Sequence, residues 1–209
     1  MLAWFRDELA PAVESLRPIC PRVEAGSPDP YYALLDQLAG QIPPGSQHLI
    51  ALPHWLGRRT PTPDPNARGV LFGLTTDHTP AHIYRALLES VGYAFRQGFD
   101  EVRSRVHRVV ITAGGAASAL CRQIMADILD TPLEYHPKSS GALGIAFLAG
   151  YATGRISGLR AIKTDWLVEP IVVRPQSAAA EIYHRLYQVY CHLDQILEPA
   201  FAMLQYNDA

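Results

Sequence analysis

Apolar residues recur at helical intervals through the first sixteen positions, at Leu2, Phe5, Leu9, Val13 and Leu16, the pattern of a helix with one buried face. Pro11 falls inside that pattern and kinks or ends the first stretch. A second helix is expected from Asp29 and Pro30, because proline is tolerated in a helix's first turn. Gly40 to Ser46 then reads as a loop, and HLIALPHWL from His48 reads as a strand. Val70 to Leu74 reads as another strand. The helix after it is the best defined. Thr79 can cap it, Pro80 takes its first position, and Ile83, Leu87, Val91 and Phe95 mark the stripe expected to be buried. Arg85 and Glu89 stand i, i+4 and read as a surface pair, which contributes roughly half a kcal/mol or less.

Between Arg108 and Leu129 the chain reads strand, glycine turn, helix. Val109, Val110 and Ile111 suit a buried strand, Gly114 and Gly115 break it, and Leu120, Ile124 and Ile128 follow at helical spacing. PLEYH is a further short strand. SSGALGIAFLAGYATG reads as a helix capped by Ser139 or Ser140 and ended by Gly154. Glycine weakens a helix by roughly 1 kcal/mol relative to alanine, so its small side implies close approach to a sheet or a ligand, with the sheet preferred. Arg155 to Leu167 reads as irregular, and VEPIVVRP as an edge strand between prolines. One long helix is expected from Ala178 to Leu204, with Ile182, Leu186, Val189, Leu193 and Ile196 on its buried face. Strands alternating with helices argue for an α/β sheet covered by helices. The glycine turn then lies at the carboxyl end of its strand, where open α/β sheets bind ligands.

Composition narrows the partners. The chain has 209 residues with 48% hydrophobic and 18% charged, which allows one large domain or a domain with an appendage. A net charge of −2 gives no electrostatic reason to expect nucleic acid or an anionic membrane. No apolar run approaches the ~20 residues of a membrane span. Acidic residues near the start and no small-residue cleavage site argue against a signal peptide, so a cytoplasmic protein is expected. Cys20, Cys121 and Cys191 are odd in number and far apart, as expected of reduced thiols.

The chemistry centres on the glycine turn. Amides at a helix start suit phosphate or polar ligand atoms, and Gly114 and Gly115 let a flat ring or a phosphate approach the backbone. A tight corner is the alternative. Ser118 could cap the following helix or donate to a ligand. The turn lacks the third glycine of a dinucleotide fingerprint and the lysine of a P-loop. His78 and His82 are i, i+4, but no histidine has a third ligand at metal spacing. GRRTPTPDPNARG is a stiff proline-rich loop that is either functional or a surface connection.

Four stretches, in this order, resemble the FGGY family of carbohydrate kinases: LPHWLGRRTPTPDPNARGVLFGL, GVLFGLTTDHTPAHIYRALLES, ITAGGAASALCRQIMADIL and SSGALGIAFLAG. Xylulokinase-like members are nearest in flavour. The family fold is two ribonuclease-H-like domains of the actin, hexokinase and chaperone-ATPase superfamily, with a cleft between them. The resemblance covers the C-terminal domain, starting inside it and without its phosphate-gripping N-terminal hairpin. It implies a helical lead-in over 1–45, a nucleotide-binding α/β core over 46–154 and a tail with a C-terminal helix over 155–209. It implies ATP or ADP with Mg²⁺, and transfer of the γ-phosphoryl group to a sugar hydroxyl. Gly114, Gly115, Ala116 and Ser118 would line the adenosine pocket, with Thr75 and Thr76 approaching from the other side. The family's catalytic aspartate precedes this stretch, so no catalytic residue and no metal ligand is assigned. The chain alone is expected to be inactive, to bind carbohydrate only with a complementary N-terminal domain, and to be able to self-associate. The alternatives are a non-catalytic half-kinase acting as an interaction or regulatory protein, or a gene fragment. Arg58 stands where the family usually has glutamate, Ala113 replaces the first of three glycines, and Leu87 sits where a smaller or β-branched residue is preferred.

Overall fold

The computed structural model describes residues 1–10, 30–112, 114–137 and 139–204. The expectations for Pro11, Val13, Leu16, Asp29 and Ala113 lie outside these residues. Helix α1, Leu2–Trp4, runs on into a wide turn over Phe5–Leu9 that buries Phe5. Helix α2, Pro30–Ala39, turns Leu34, Leu35 and Ala39 into the core. Strand β1, Ile50–Leu52, is buried throughout and pairs antiparallel with β2, Val70–Phe72, Ile50 lying opposite Phe72. Both strands are shorter than the apolar runs that signalled them. Pro53 follows β1 with no N–H to extend a ladder. Gly73, at φ +88°, turns the chain out of β2 in a conformation that glycine adopts without strain.

Helix α3, Pro80–Val102, is the central element and packs on α2 and β1. The expected stripe is only partly right. Leu87 is fully buried, but Phe95 is 62% exposed. Because α3 is covered from several sides, its buried arc is wider and rotated, running through Tyr84, Leu88 and Tyr93. That rotation also takes in Arg85 and Glu89, 5% and 1% exposed, which overturns their reading as a surface pair.

Strand β3, Val109–Ile111, leads through a tight turn to α4, Ala119–Leu129, which also packs on α3, and to β4, Leu133–Tyr135. β3 and β4 are parallel, with Ile111 opposite Tyr135. Helix α5 is Gly141–Ala152. Strand β5, Ile171–Val173, joins the other side of β4 antiparallel and is the expected edge. Among the described residues the strands form two sheets, β1-β2 and β3-β4-β5, rather than one. β3 is more open than a buried strand, with Val110 44% exposed. Ser140, not Ser139, caps α5, its hydroxyl accepting from the Leu143 amide at 3.1 Å. The small side of α5 does not press on a sheet, for side chains added at Gly141 or Gly144 would meet nothing within 4 Å.

The last expected helix is two, α6 Ser177–Ile196 and α7 Glu198–Met203. They part at Leu197, with Pro199 inside the first turn of α7. The face also differs. Tyr183, Tyr190 and Leu193 are buried, while Val189 and Ile196 are not. Tyr183, Tyr187 and Tyr190 surround Tyr93 of α3 at ring-centre distances of 6.2, 6.1 and 5.3 Å, and the large aromatic areas set the helix's rotation. Among the described residues no helix is long and apolar enough to cross a membrane.

Candidate functional site

Parallel β3 and β4 send their following segments off the same edge of the sheet. The turn Gly114–Ala117 leaves the end of β3, and Ser118 caps α4, its hydroxyl accepting from the Cys121 amide at 3.0 Å. Ser118 thus fills the capping use the sequence offered it. Arg122 reaches back from α4 and donates to the carbonyls of Ala116 and Ala117 while lying 4.5 Å over the Tyr135 ring of β4. The turn is therefore pinned to its own helix and to the sheet. At Gly114 a side chain would enter open space, whereas at Gly115 it would stand 3.7 Å from Cys121 Sγ. Ala116 is 1% exposed and its carbonyl is taken by Arg122, so the open surface of the turn is that of Gly114 and Gly115. Cys121 beneath the turn has its thiol pushed up to about 11 by burial, then by the Asp36 charge.

Thr75 and Thr76 are exposed in the segment before α3. The Thr75 amide donates to His78 Nδ1 at 2.9 Å, and the Thr79 amide to His82 Nδ1 at 3.2 Å. Thr79 is the cap the sequence indicated, with His82 completing the box. No hydrogen bond among the described residues joins this segment to the glycine turn. Asp36 of α2 is what stands between the two helix starts. It accepts from Tyr84 Oη of α3 at 3.1 Å, and burial raises its carboxyl more than the neighbouring Ser118 and Tyr84 hydroxyls lower it. Nothing in the sequence singled out Asp36, a lone aspartate on an amphipathic helix.

Two further buried clusters were not legible either. Glu89 accepts from the Gly45 amide, Ser46 Oγ, Arg85 Nε and Tyr183 Oη at 2.8–3.0 Å. The chain it grips is strained, with φ of 85°, 49°, 53° and 70° from Gly45 to His48. Left-handed residues other than glycine cost roughly 1–2 kcal/mol each, so Glu89 offsets strain at the entry to β1. In the second cluster Asp194 of α6 accepts from Arg58 at 2.9 Å and Gln97 at 3.2 Å and meets His54 at 2.8 Å. Burial pushes the Asp194 carboxyl up, but the His54 and Gln97 bonds and the Arg58 charge outweigh it and hold it below its usual range. Arg58 thus has a carboxylate of its own, and it holds the proline-rich loop at Thr62 and, through a backbone bridge, at Asp64. Among the described residues no three His, Cys, Asp or Glu side chains could hold a metal ion.

The family model for the C-terminal domain of the FGGY family of carbohydrate kinases matches residues 1–153. A gluconokinase of Bacillus subtilis (strain 168) is 32% identical over 213 residues, covering 98% of this chain and 39% of the relative. The crystal structure of xylulose kinase from Rhodospirillum rubrum matches with a TM-score of 0.69 at 33% identity, over 92% of this chain and 38% of that one. Ligand-bound xylulose kinase from Lactobacillus acidophilus matches with a TM-score of 0.72 at 27% identity, over 93% of this chain and 39% of that one. The chain thus spans about two fifths of the length of the relatives it matches.

Proposed function

We propose a nucleotide-binding role for the glycine turn on one premise: this chain belongs to the FGGY family of carbohydrate kinases. Its fold is the ribonuclease-H-like one of the actin and hexokinase superfamily, in the form of that family's C-terminal domain. The adenosine part of ATP or ADP sits against the backbone of Gly114, Gly115 and Ala116, and Thr75 and Thr76 flank it. Ser118 lines the same pocket while its hydroxyl caps α4. The observation that carries this reading is the open backbone at Gly114, on a turn held by Arg122 and Ser118. The whole reaction, γ-phosphoryl transfer to a sugar hydroxyl, belongs to an assembly that includes a sugar-binding part. β5 completes the β3-β4 sheet and α6 holds α3, so we treat residues 46–154 and 155–209 as one working unit.

Phosphoryl transfer needs groups on both sides of the phosphates, and Mg²⁺ is commonly carried by the phosphates plus one or two carboxylates. Such an ion would ride on the nucleotide's phosphates rather than in a protein cage, and no residue of this chain is assigned to it or to the chemical step. The chain by itself is expected to bind nucleotide weakly and to turn over no sugar. Calorimetric titration of ADP and ATP, with and without Mg²⁺, tests this. Saturable binding that Gly114→Val abolishes without lowering the melting temperature supports the reading. No heat of binding up to millimolar nucleotide contradicts it.

A second reading, a half-kinase acting through a partner, is favoured by α5. Ile145, Leu148 and Tyr151 are 71%, 57% and 44% exposed on a helix that buries only Phe147. The occupant we propose for this face is a complementary N-terminal half of the kind that makes up the rest of the relatives' length. The two readings are compatible, since docking such a half would also complete the enzyme.

A further inference from the structure

His78 and His82 sit one helical turn apart at the head of α3, with ring centres 5.4 Å apart and the rings edge to face. Each Nδ1 faces two groups of a threonine three residues before it. His78 Nδ1 is 2.9 Å from the Thr75 amide and 3.0 Å from its hydroxyl. His82 Nδ1 is 3.2 Å from the Thr79 amide and 2.9 Å from its hydroxyl. A peptide N–H only donates, so each Nδ1 must carry a bare lone pair. A neutral imidazole then carries its proton on Nε2. Both Nε2 atoms are buried and without a partner, and His82 is 7% exposed. A metal on Nε2 would require the opposite tautomer, which the backbone bonds forbid.

We propose that His78 and His82 are positioning residues for the nucleotide-flanking segment. As neutral imidazoles they hold Thr75 to Thr79 in place, and proton uptake by His82 loosens that segment at the head of α3. The proton has one place to go, Nδ1, where it meets the amide and hydroxyl it used to accept from. The hydroxyl can turn and accept from the new N–H, but the Thr79 amide cannot, so its bond to the ring is lost and the capping box of α3 keeps only one of its two bonds. Burial, then the neighbouring His78, holds His82 below the ordinary imidazole range. Among the described residues His78 is the one titratable neighbour that shifts it, and Asp77, the carboxylate within the segment, is exposed. The sign follows. For His82 the unfolded chain takes up the proton first, so its bond to the Thr79 amide is fully in force above about pH 6.5 and weakens as the pH falls below it.

The consequence for nucleotide rests on the proposed site, but the latch does not, and the test separates them. Ring ¹⁵N and amide spectra of the whole chain are recorded from about pH 8 to about pH 5.5, across the imidazole range. ADP affinity is measured at both ends. The same is done for a His78→Asn, His82→Asn double variant, whose amide oxygens accept the same N–H groups and do not titrate. The expected result is the Nε2–H tautomer for both rings at the upper pH, with the Thr79 amide losing exchange protection as His82 titrates. ADP affinity falls by about fivefold, the worth of one helix cap, and the double variant shows neither change. Nδ1–H rings at the upper pH, amides protected throughout, or a double variant that follows the wild-type pH profile would overturn the proposal. If the wild-type chain binds no ADP at any pH, it is the nucleotide reading that fails, and the ring and amide spectra still decide the latch.

Discussion

At Ser118 the hydroxyl oxygen accepts from the Cys121 amide and so satisfies one of the free amides of the first turn of α4. Ser118→Ala should therefore cost about 1 kcal/mol and lower the melting temperature by about 2–4 °C for a chain of this size. Ser118→Gly should cost only a few tenths of that. A calorimetric scan separates the two, and an unchanged melting temperature for the alanine variant would remove the cap from the account. Glu89 is the opposite extreme. It is buried with Arg85 and clamps a strained turn, so Glu89→Ala leaves a buried guanidinium without its charge partner. Such losses run to about 3–5 kcal/mol, a large share of the ~5–15 kcal/mol that keeps a domain folded. Urea unfolding reads this directly. Phe95→Ser, at a position that looks like core by spacing but stands in solvent, should change stability by less than about 0.5 kcal/mol.

Elements were legible in the sequence wherever backbone chemistry is local. Thr79 with Pro80, Ser118 before α4, Gly154 after α5 and the prolines around β5 each carry their own signal, and each lies where the sequence put it. What failed is rotation. The stripes expected on α3 and α6 are turned from the buried faces because a helix covered on several sides has no single stripe to find. For the same reason a buried ion pair looks like a surface one, as Arg85 and Glu89 did. Long-range partners were also hidden, since nothing in GRRTPTPDPNARG announces Asp194 more than a hundred residues later. That link carries a prediction for the loop and for α6 together. Asp194 is held below the usual carboxylate range, so its contribution is complete above about pH 4 and is lost as the pH falls through its lower folded value. Asp194→Asn should reduce the urea midpoint at neutral pH and flatten its decline in acid. A variant with the wild-type acid profile would show that the cluster contributes nothing to acid sensitivity.

On the scale of the whole molecule, the chain carries about two fifths of the length of its relatives, and one of its helices is apolar nearly all round yet largely uncovered. An open apolar face of this kind seeks a partner. Without one, the pure chain is expected to self-associate reversibly, and Ile145→Asp with Leu148→Asp should abolish this while leaving the melting temperature in place. Sedimentation velocity over a concentration series tests it, and identical association by the double variant would place the contact elsewhere. The claim on which the rest depends is that adenine nucleotide meets the chain at the end of β3. Amide chemical-shift mapping during an ADP titration tests it most directly. Saturable shifts centred on Gly114, Gly115 and Ala116, with a second group at Thr75 and Thr76, are the predicted result. Shifts that saturate elsewhere, or none at millimolar ADP, would contradict it.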